Sequence, residues 1–245
     1  MKKLIAMIGL MVVLGMAQSQ LDFARQKIDK AYNRNNEKEM LEARALFERI
    51  LTAGQDRWLV NYYIAYCDYR LYTFQMQKED TRQAKVYIKD GLAQLKECLN
   101  ENENFGEAYA LMAAFYGGSI SLNPISGMWN GPKSQKLMAE AMNYAGSSPR
   151  IFLLKAINQF YTPEKYGGGV KLAMESLEKS IHYFDEQEPD AIPAWGKTDA
   201  FTWMGIISSR QGDHEAAKKY YEKALLAEPE NGWVSHVLLP QLEKQ

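Results

Sequence analysis

Three consecutive glycines and a nearby lysine, Gly167-Gly168-Gly169-Val170-Lys171, form the segment whose composition most suggests phosphate chemistry. Backbone N–H groups in a glycine-rich turn can cradle phosphate oxygens, and a lysine can neutralise them. The P-loop pattern G-x-x-x-x-G-K-[ST] is not met, because Leu172 follows Lys171. No G-x-G-x-x-G follows a strand pattern either. The segment reads as a turn, with an anion held at the start of the next helix as the lesser alternative. The three histidines, His182, His214 and His236, fall in different segments. None has a partner at a metal-ligand spacing. No serine lies in a G-x-S-x-G elbow. Acidic pairs such as Asp185-Glu186 and Glu228 with Glu230 sit at helix ends or in loops, where solvated charge explains them. The reading is a non-enzymatic chain with no catalytic residue, cofactor or metal site.

The elements around these residues repeat. The clearest unit runs from Phe201 to Pro229, FTWMGIISSRQGDHEAAKKYYEKALLAEP. It resembles a tetratricopeptide repeat (TPR), a pair of antiparallel helices about 34 residues long. Phe201 fits the large aromatic position, Met204-Gly205 the Leu-Gly pair and Gly212-Asp213 the turn between the helices. Ala217, Tyr221, Ala224 and Pro229 follow on the small, aromatic, small and terminating positions. Gly205 and Ala217 let the two helices approach closely, Tyr221 fills the space between pairs, and Pro229 stops the second helix.

Weaker copies precede it. Ala43, Phe47 and Ile50 mark one second helix; Ile64-Ala65 and then Ala84, Ile88 and Gly91 mark the next pair. Tyr109, Met112, Ala113 and Tyr116 mark a third first helix, and Ala156, Ala173, Leu177 and Ser180 a fourth pair. All are amphipathic at helical period, and no stretch alternates at period two long enough to suggest a sheet. The expected architecture is all-α: a TPR-like superhelical array of about five antiparallel helix pairs over residues 20–245, capped by a helix from Gly232 to Lys244.

In the fourth pair Ala156 and Ala173 are seventeen residues apart, against twelve from Gly205 to Ala217. The extra five fall in TPEKYGGG, which puts the glycine triplet between two helices, with Pro163 ending the first. Two further inserts are long for this fold. In Ser121–Ser134, Met128 and Trp129 are expected to pack inward; before the last repeat, Trp195 is expected to pin a proline-rich loop. YTPEKYGGG followed by PAWGK resembles a group of exported bacterial TPR proteins. That similarity covers roughly the C-terminal half and implies no mechanism.

Residues 1–19 read as a secretory signal peptide: Lys2 and Lys3, then an apolar run from Leu4 to Ala17, then small residues at Ala17 and Ser19. About 14 apolar residues are too few for the ~20 that span a bilayer. No cysteine follows the run, so lipidation is not expected, and the mature chain is expected in the periplasm or outside the cell. Removing Lys2 and Lys3 takes the net charge from −1 to −3, which gives no electrostatic reason to expect nucleic acid. Cys67 and Cys98 could pair on export, or remain as ordinary buried thiols.

In a TPR array the first helices line a concave groove. The resemblance therefore nominates Tyr62, Tyr66, Tyr69 and Arg70 in the second pair, Leu153, Ile157, Phe160 and Tyr161 in the fourth, and Thr202, Ser209 and Arg210 in the fifth. A tyrosine-lined groove with arginine can hold an extended peptide by stacking and hydrogen bonding. The same tyrosines could instead fill space between adjacent pairs. The chaperone-type asparagine–lysine clamp is not evident, which argues against recognition of a C-terminal carboxylate. The function this implies is an exported interaction module, an adaptor or assembly factor for a protein or peptide partner. A small-molecule-binding accessory subunit of a transport system is the alternative. An incompletely capped array end also allows stacking on a second copy.

Overall fold

The computed structural model describes residues 20–54, 56–188 and 191–244. The signal-peptide segment 1–19 lies outside the described residues. Every regular element among the described residues is helical. In order they are α1 (20–33), α2 (Glu37–Ala53), α3 (Arg57–Gln77), α4 (Thr81–Glu101), α5 (Gly106–Leu122), α6 (Gly127–Ala145), α7 (Pro149–Tyr161), α8 (Val170–Glu186), α9 (Lys197–Arg210) and α10 (His214–Ala227). A last helical segment over 232–242 contains a π-turn at Val234–Leu238 and ends in α11 (Leu239–Leu242). No helix among the described residues is long and apolar enough to cross a membrane.

Local sequence explains the punctuation. Asn36, Asp80 and Asp213 accept from the backbone N–H groups of Glu39, Gln83 and Ala216, capping α2, α4 and α10. Among the described residues α3 packs on α4, α5 on α6, α7 on α8 and α9 on α10, as the repeat pattern predicts, and α1 and α2 precede them in order.

Contacts divide the described chain into two compact units. The first holds α1 to Tyr32 and α2–α4. Its centre is α3, which packs on both α2 and α4 and is enclosed on every side from Leu59 to Tyr72. Enclosure on every side forces polar groups inward, and each needs a partner. Arg44 of α2 donates from Nε to Asp68 Oδ1 at 2.6 Å, and Gln75 Nε2 donates to Glu37 Oε1 at 2.5 Å. Cys67 and Cys98 are both free and buried, and burial pushes the Cys98 thiol up to about 12.

The second unit holds residues 33–35 and α5 onward. Here α5 packs on α6 and α7, α7 on α8, α8 on α9 and α9 on α10. In the last pair a β-carbon on Gly205 would lie 2.4 Å from Tyr221 Cε1, so only glycine admits the ring. The glycine triplet is a turn. A β-carbon on Gly168 would lie 2.0 Å from the Thr162 carbonyl oxygen, and Gly169 donates its N–H to the Gln159 carbonyl at 2.8 Å. The loop before α9 is pinned by buried Trp195, whose carbonyl accepts from Arg150 at 3.3 Å.

Met128 and Trp129 depart from expectation and are exposed. The insert is helical from Gly127 onward, so α6 begins earlier than a glycine- and proline-rich segment suggests. Trp129 and the buried Met138 are nine residues apart, two and a half turns at 3.6 per turn, on opposite faces of one helix.

Candidate functional site: an aromatic and arginine cluster on α7 and α9

Within the second unit, α7 and α9 are the first helices of consecutive pairs and touch each other. The sequence divides α7 into two parts. Its N-terminal half, Pro149–Leu154, is buried without interruption. Arg150 sits there with almost no exposure, donating from Nε to both carboxylate oxygens of Glu107 at 3.0 Å. Ser148 Oγ donates to the same carboxylate at 2.6 Å, and the Arg150 guanidinium lies 5.7 Å from the Phe184 ring. This ion pair joins α5 and α7 and fixes the direction in which α7 leaves the core. Its C-terminal half, Ile157–Tyr161, emerges from the core until Pro163 and the glycine turn redirect the chain.

On α9, Asp199, Ala200, Thr202, Met204, Gly205, Ile207 and Ser208 face inward. Trp203 and Arg210, seven residues and two turns apart, share the remaining face. Phe160 and Tyr161 meet this face. The Phe160 and Tyr161 rings are 5.1 Å apart at 66°, Phe160 and Trp203 6.1 Å apart at 65°, and Tyr161 and Trp203 5.9 Å apart at 85°. These edge-to-face arrangements suit the ring quadrupoles. The Arg210 guanidinium stands 5.1 Å from the Phe160 centroid and 5.9 Å from that of Tyr161. Tyr161 remains 55% exposed and Arg210 is exposed, so the cluster offers ring surface and a cation side by side. Such a surface can stack on planar or aliphatic groups and pair with a carboxylate.

The eleven nominated residues separate into an interior set and a surface set. Tyr62, Tyr66, Tyr69 and Arg70 are buried inside the first unit. Arg70 donates to the Tyr66 hydroxyl from Nε at 2.9 Å and from a terminal nitrogen at 2.6 Å, and its guanidinium lies 4.1 Å over the Tyr32 ring. These side chains fill space between helices instead of lining an open groove, because α3 has neighbours on all sides. Leu153 and Thr202 are likewise enclosed, the Thr202 hydroxyl donating to the Thr198 carbonyl at 2.8 Å. Ile157, Phe160 and Ser209 are half-buried, and Tyr161 and Arg210 reach solvent. Phe160, Tyr161 and Arg210 come together; Trp203, which completes the cluster, was not among the nominated residues. Its seven-residue spacing from Arg210 was the available signal.

Residues 198–231 match the tetratricopeptide repeat family. The fold is similar to that of HusA, a haemophore from Porphyromonas gingivalis, with a TM-score of 0.65 and 22% identity over 78% of this chain and 93% of that one. It is also similar to a thermophilic TPR protein from Thermus thermophilus, with a TM-score of 0.59 and 15% identity over 94% of this chain and 100% of that one. No curated protein matches the sequence. At these identities the likeness concerns the fold. Residues 198–231 are thus a tetratricopeptide repeat, and the helix pairs that precede it share the fold of TPR proteins.

Proposed function

We propose that this chain is a non-enzymatic interaction module that holds a segment of a protein partner on the α7–α9 face. The observation that carries the reading is the cluster of Phe160, Tyr161, Trp203 and Arg210. Large aromatic side chains and arginine are the residue types that dominate binding energy at protein interfaces. A TPR fold is a scaffold for such contacts, and its first helices are the ones that meet a partner. In this reading residues 1–19 direct export, and the chain works in the bacterial envelope as an adaptor or assembly factor. Affinity capture from native cells tests it, using the wild type and Tyr161→Ala/Trp203→Ala/Arg210→Glu. A protein that co-purifies with the wild type and is lost with the folded variant supports the proposal. Identical captured sets overturn it.

A second reading is a binding protein for a planar amphiphile, serving a transport system. The fold likeness to a haemophore favours it, together with three rings grouped beside a cation. Native mass spectrometry of the purified chain separates the two readings. A retained small molecule, absent from the triple variant, favours the second.

A further inference from the structure

The turn before α6 and the first half of α6 carry a surface that the proposed partner face does not use. Ile125, Met128 and Trp129 are 74%, 73% and 59% exposed. Single exposed apolar residues are ordinary on a protein surface, but three together need a reason. These three fall at i, i+3 and i+4, on one face of a helical run that starts at Pro124 and continues through α6. Pro132, Lys133 and Lys136 extend the same stripe at i+7, i+8 and i+11, and all three are exposed. Met138 and Ala141 are the buried residues of α6 and face the core instead. The stripe is therefore an outward face with an apolar end and a basic end.

The charge pattern supports this. Residues 108–139 contain no aspartate or glutamate, and their charged groups are Lys133 and Lys136. The whole chain has 30 acidic residues in 245, about one in eight, so 32 residues would ordinarily carry about four. Lys133 lies 5.6 Å over the Tyr116 ring, and the exposed Lys136 reaches Glu140 at 3.7 Å, just beyond the acid-free stretch.

We infer that the Ile125–Lys136 stripe is a contact for an anionic lipid surface, lying in the plane of the membrane interface. Apolar side chains beside lysines, with a tryptophan among them, are the composition that partitions into the headgroup region. The lysines meet lipid phosphates while their stems and the three apolar side chains reach the acyl boundary.

The test is sedimentation of the full chain with phosphatidylcholine vesicles, with and without phosphatidylglycerol. The apolar run Leu4–Ala17 can itself enter lipid, so comparison among full-length variants carries the result. Wild type is expected to bind anionic vesicles at least about tenfold better than Ile125→Ser/Met128→Ser/Trp129→Ser, given three large apolar side chains lost from the interface. Lys133→Glu/Lys136→Glu should bind less and lose its dependence on salt. Brominated lipid should quench the tryptophan fluorescence of the wild type more than that of Trp129→Phe, a readout that does not depend on removing apolar surface. Circular dichroism melts check that these exposed-site variants fold. Equal vesicle binding and equal quenching across all forms overturns the inference. So does a protein adduct from a photo-crosslinker at Met128 in cells when no form binds vesicles, which would make the stripe a protein dock.

Discussion

The guanidinium of Arg210 lies 5.1 Å from the centre of the Phe160 ring, held by ring faces and by no carboxylate among the described residues. An exposed arginine fixed in this way keeps its hydrogen-bonding capacity for another molecule. Arg210→Leu should therefore change stability by less than about 1 kcal/mol, the range of an exposed cation–π contact. It should reduce retention of the captured partner by about tenfold, the effect of losing one charge-assisted hydrogen bond. Denaturant melts and quantitative capture measure the two effects separately. A large loss of stability would mean that Arg210 is structural.

Gly205 and Tyr221 hold the last repeat together by close approach. Gly205→Ala forces a β-carbon into the ring and should cost about 1–3 kcal/mol through overpacking. Adding Tyr221→Leu to that variant should recover part of the loss, because the shorter side chain leaves the space. A thermodynamic cycle across the four proteins reads the coupling.

The glycine triplet offers an internal comparison. Gly167 has φ +83° with nothing within 4 Å of an added β-carbon, so Gly167→Ala should cost about 1–2 kcal/mol from backbone strain alone. Gly168→Ala must displace the Thr162 carbonyl and should cost more. Urea unfolding of the two variants gives the order. The opposite order would mean that the turn is placed wrongly.

Much of this was legible in the residues. The close approach at Gly205 was legible, but the repeat pattern sets Ala217 against it and Tyr221 between pairs, whereas the Tyr221 ring lies on Gly205 within the last pair. The turn at Gly167–Gly169 was legible because the Ala156–Ala173 spacing left five residues over. The interior of the first unit was not. Arg44 and Asp68 are 24 residues apart on different helices, and only tertiary packing makes Asp68 an interior residue. The same enclosure removes Tyr62 and Tyr66 from any groove, although their spacing along α3 suits a lining face equally well. Glycines and Pro132 suggest a loop around Met128 and Trp129, whereas α6 runs through Pro132, its sixth residue, although proline lacks the N–H an interior position would donate. Once that segment is helical, the face follows.

Breaking the Glu107–Arg150 pair from one side should be severe. Arg150→Met leaves the Glu107 carboxylate buried without its main partner and should cost about 3–5 kcal/mol. The double variant Glu107→Gln/Arg150→Met should recover much of this, since no uncompensated charge remains. Thermal unfolding of the singles and the double tests it.

Asp68 gives a pH signature with a definite sign. Burial pushes its carboxyl up to about 7, opposed by the hydrogen bonds and charge of Arg44 and reinforced by Asp90 and Glu48. A carboxyl raised on folding holds more protons in the native state, so its contribution to stability is lost as pH rises between about 4 and 7. Asp68→Asn should therefore cost more stability at pH 5 than at pH 8, measured by urea unfolding. An ordinary salt bridge with a depressed carboxyl would give the reverse order.

The central claim is that the α7–α9 face meets a protein partner. Its most direct test is a photo-crosslinking amino acid at position 161 in the native cell, compared with one at the exposed second-helix position Lys218. One dominant protein adduct at 161 and none at 218 is the predicted result. Equal adducts at both positions, or none at 161, would contradict the account.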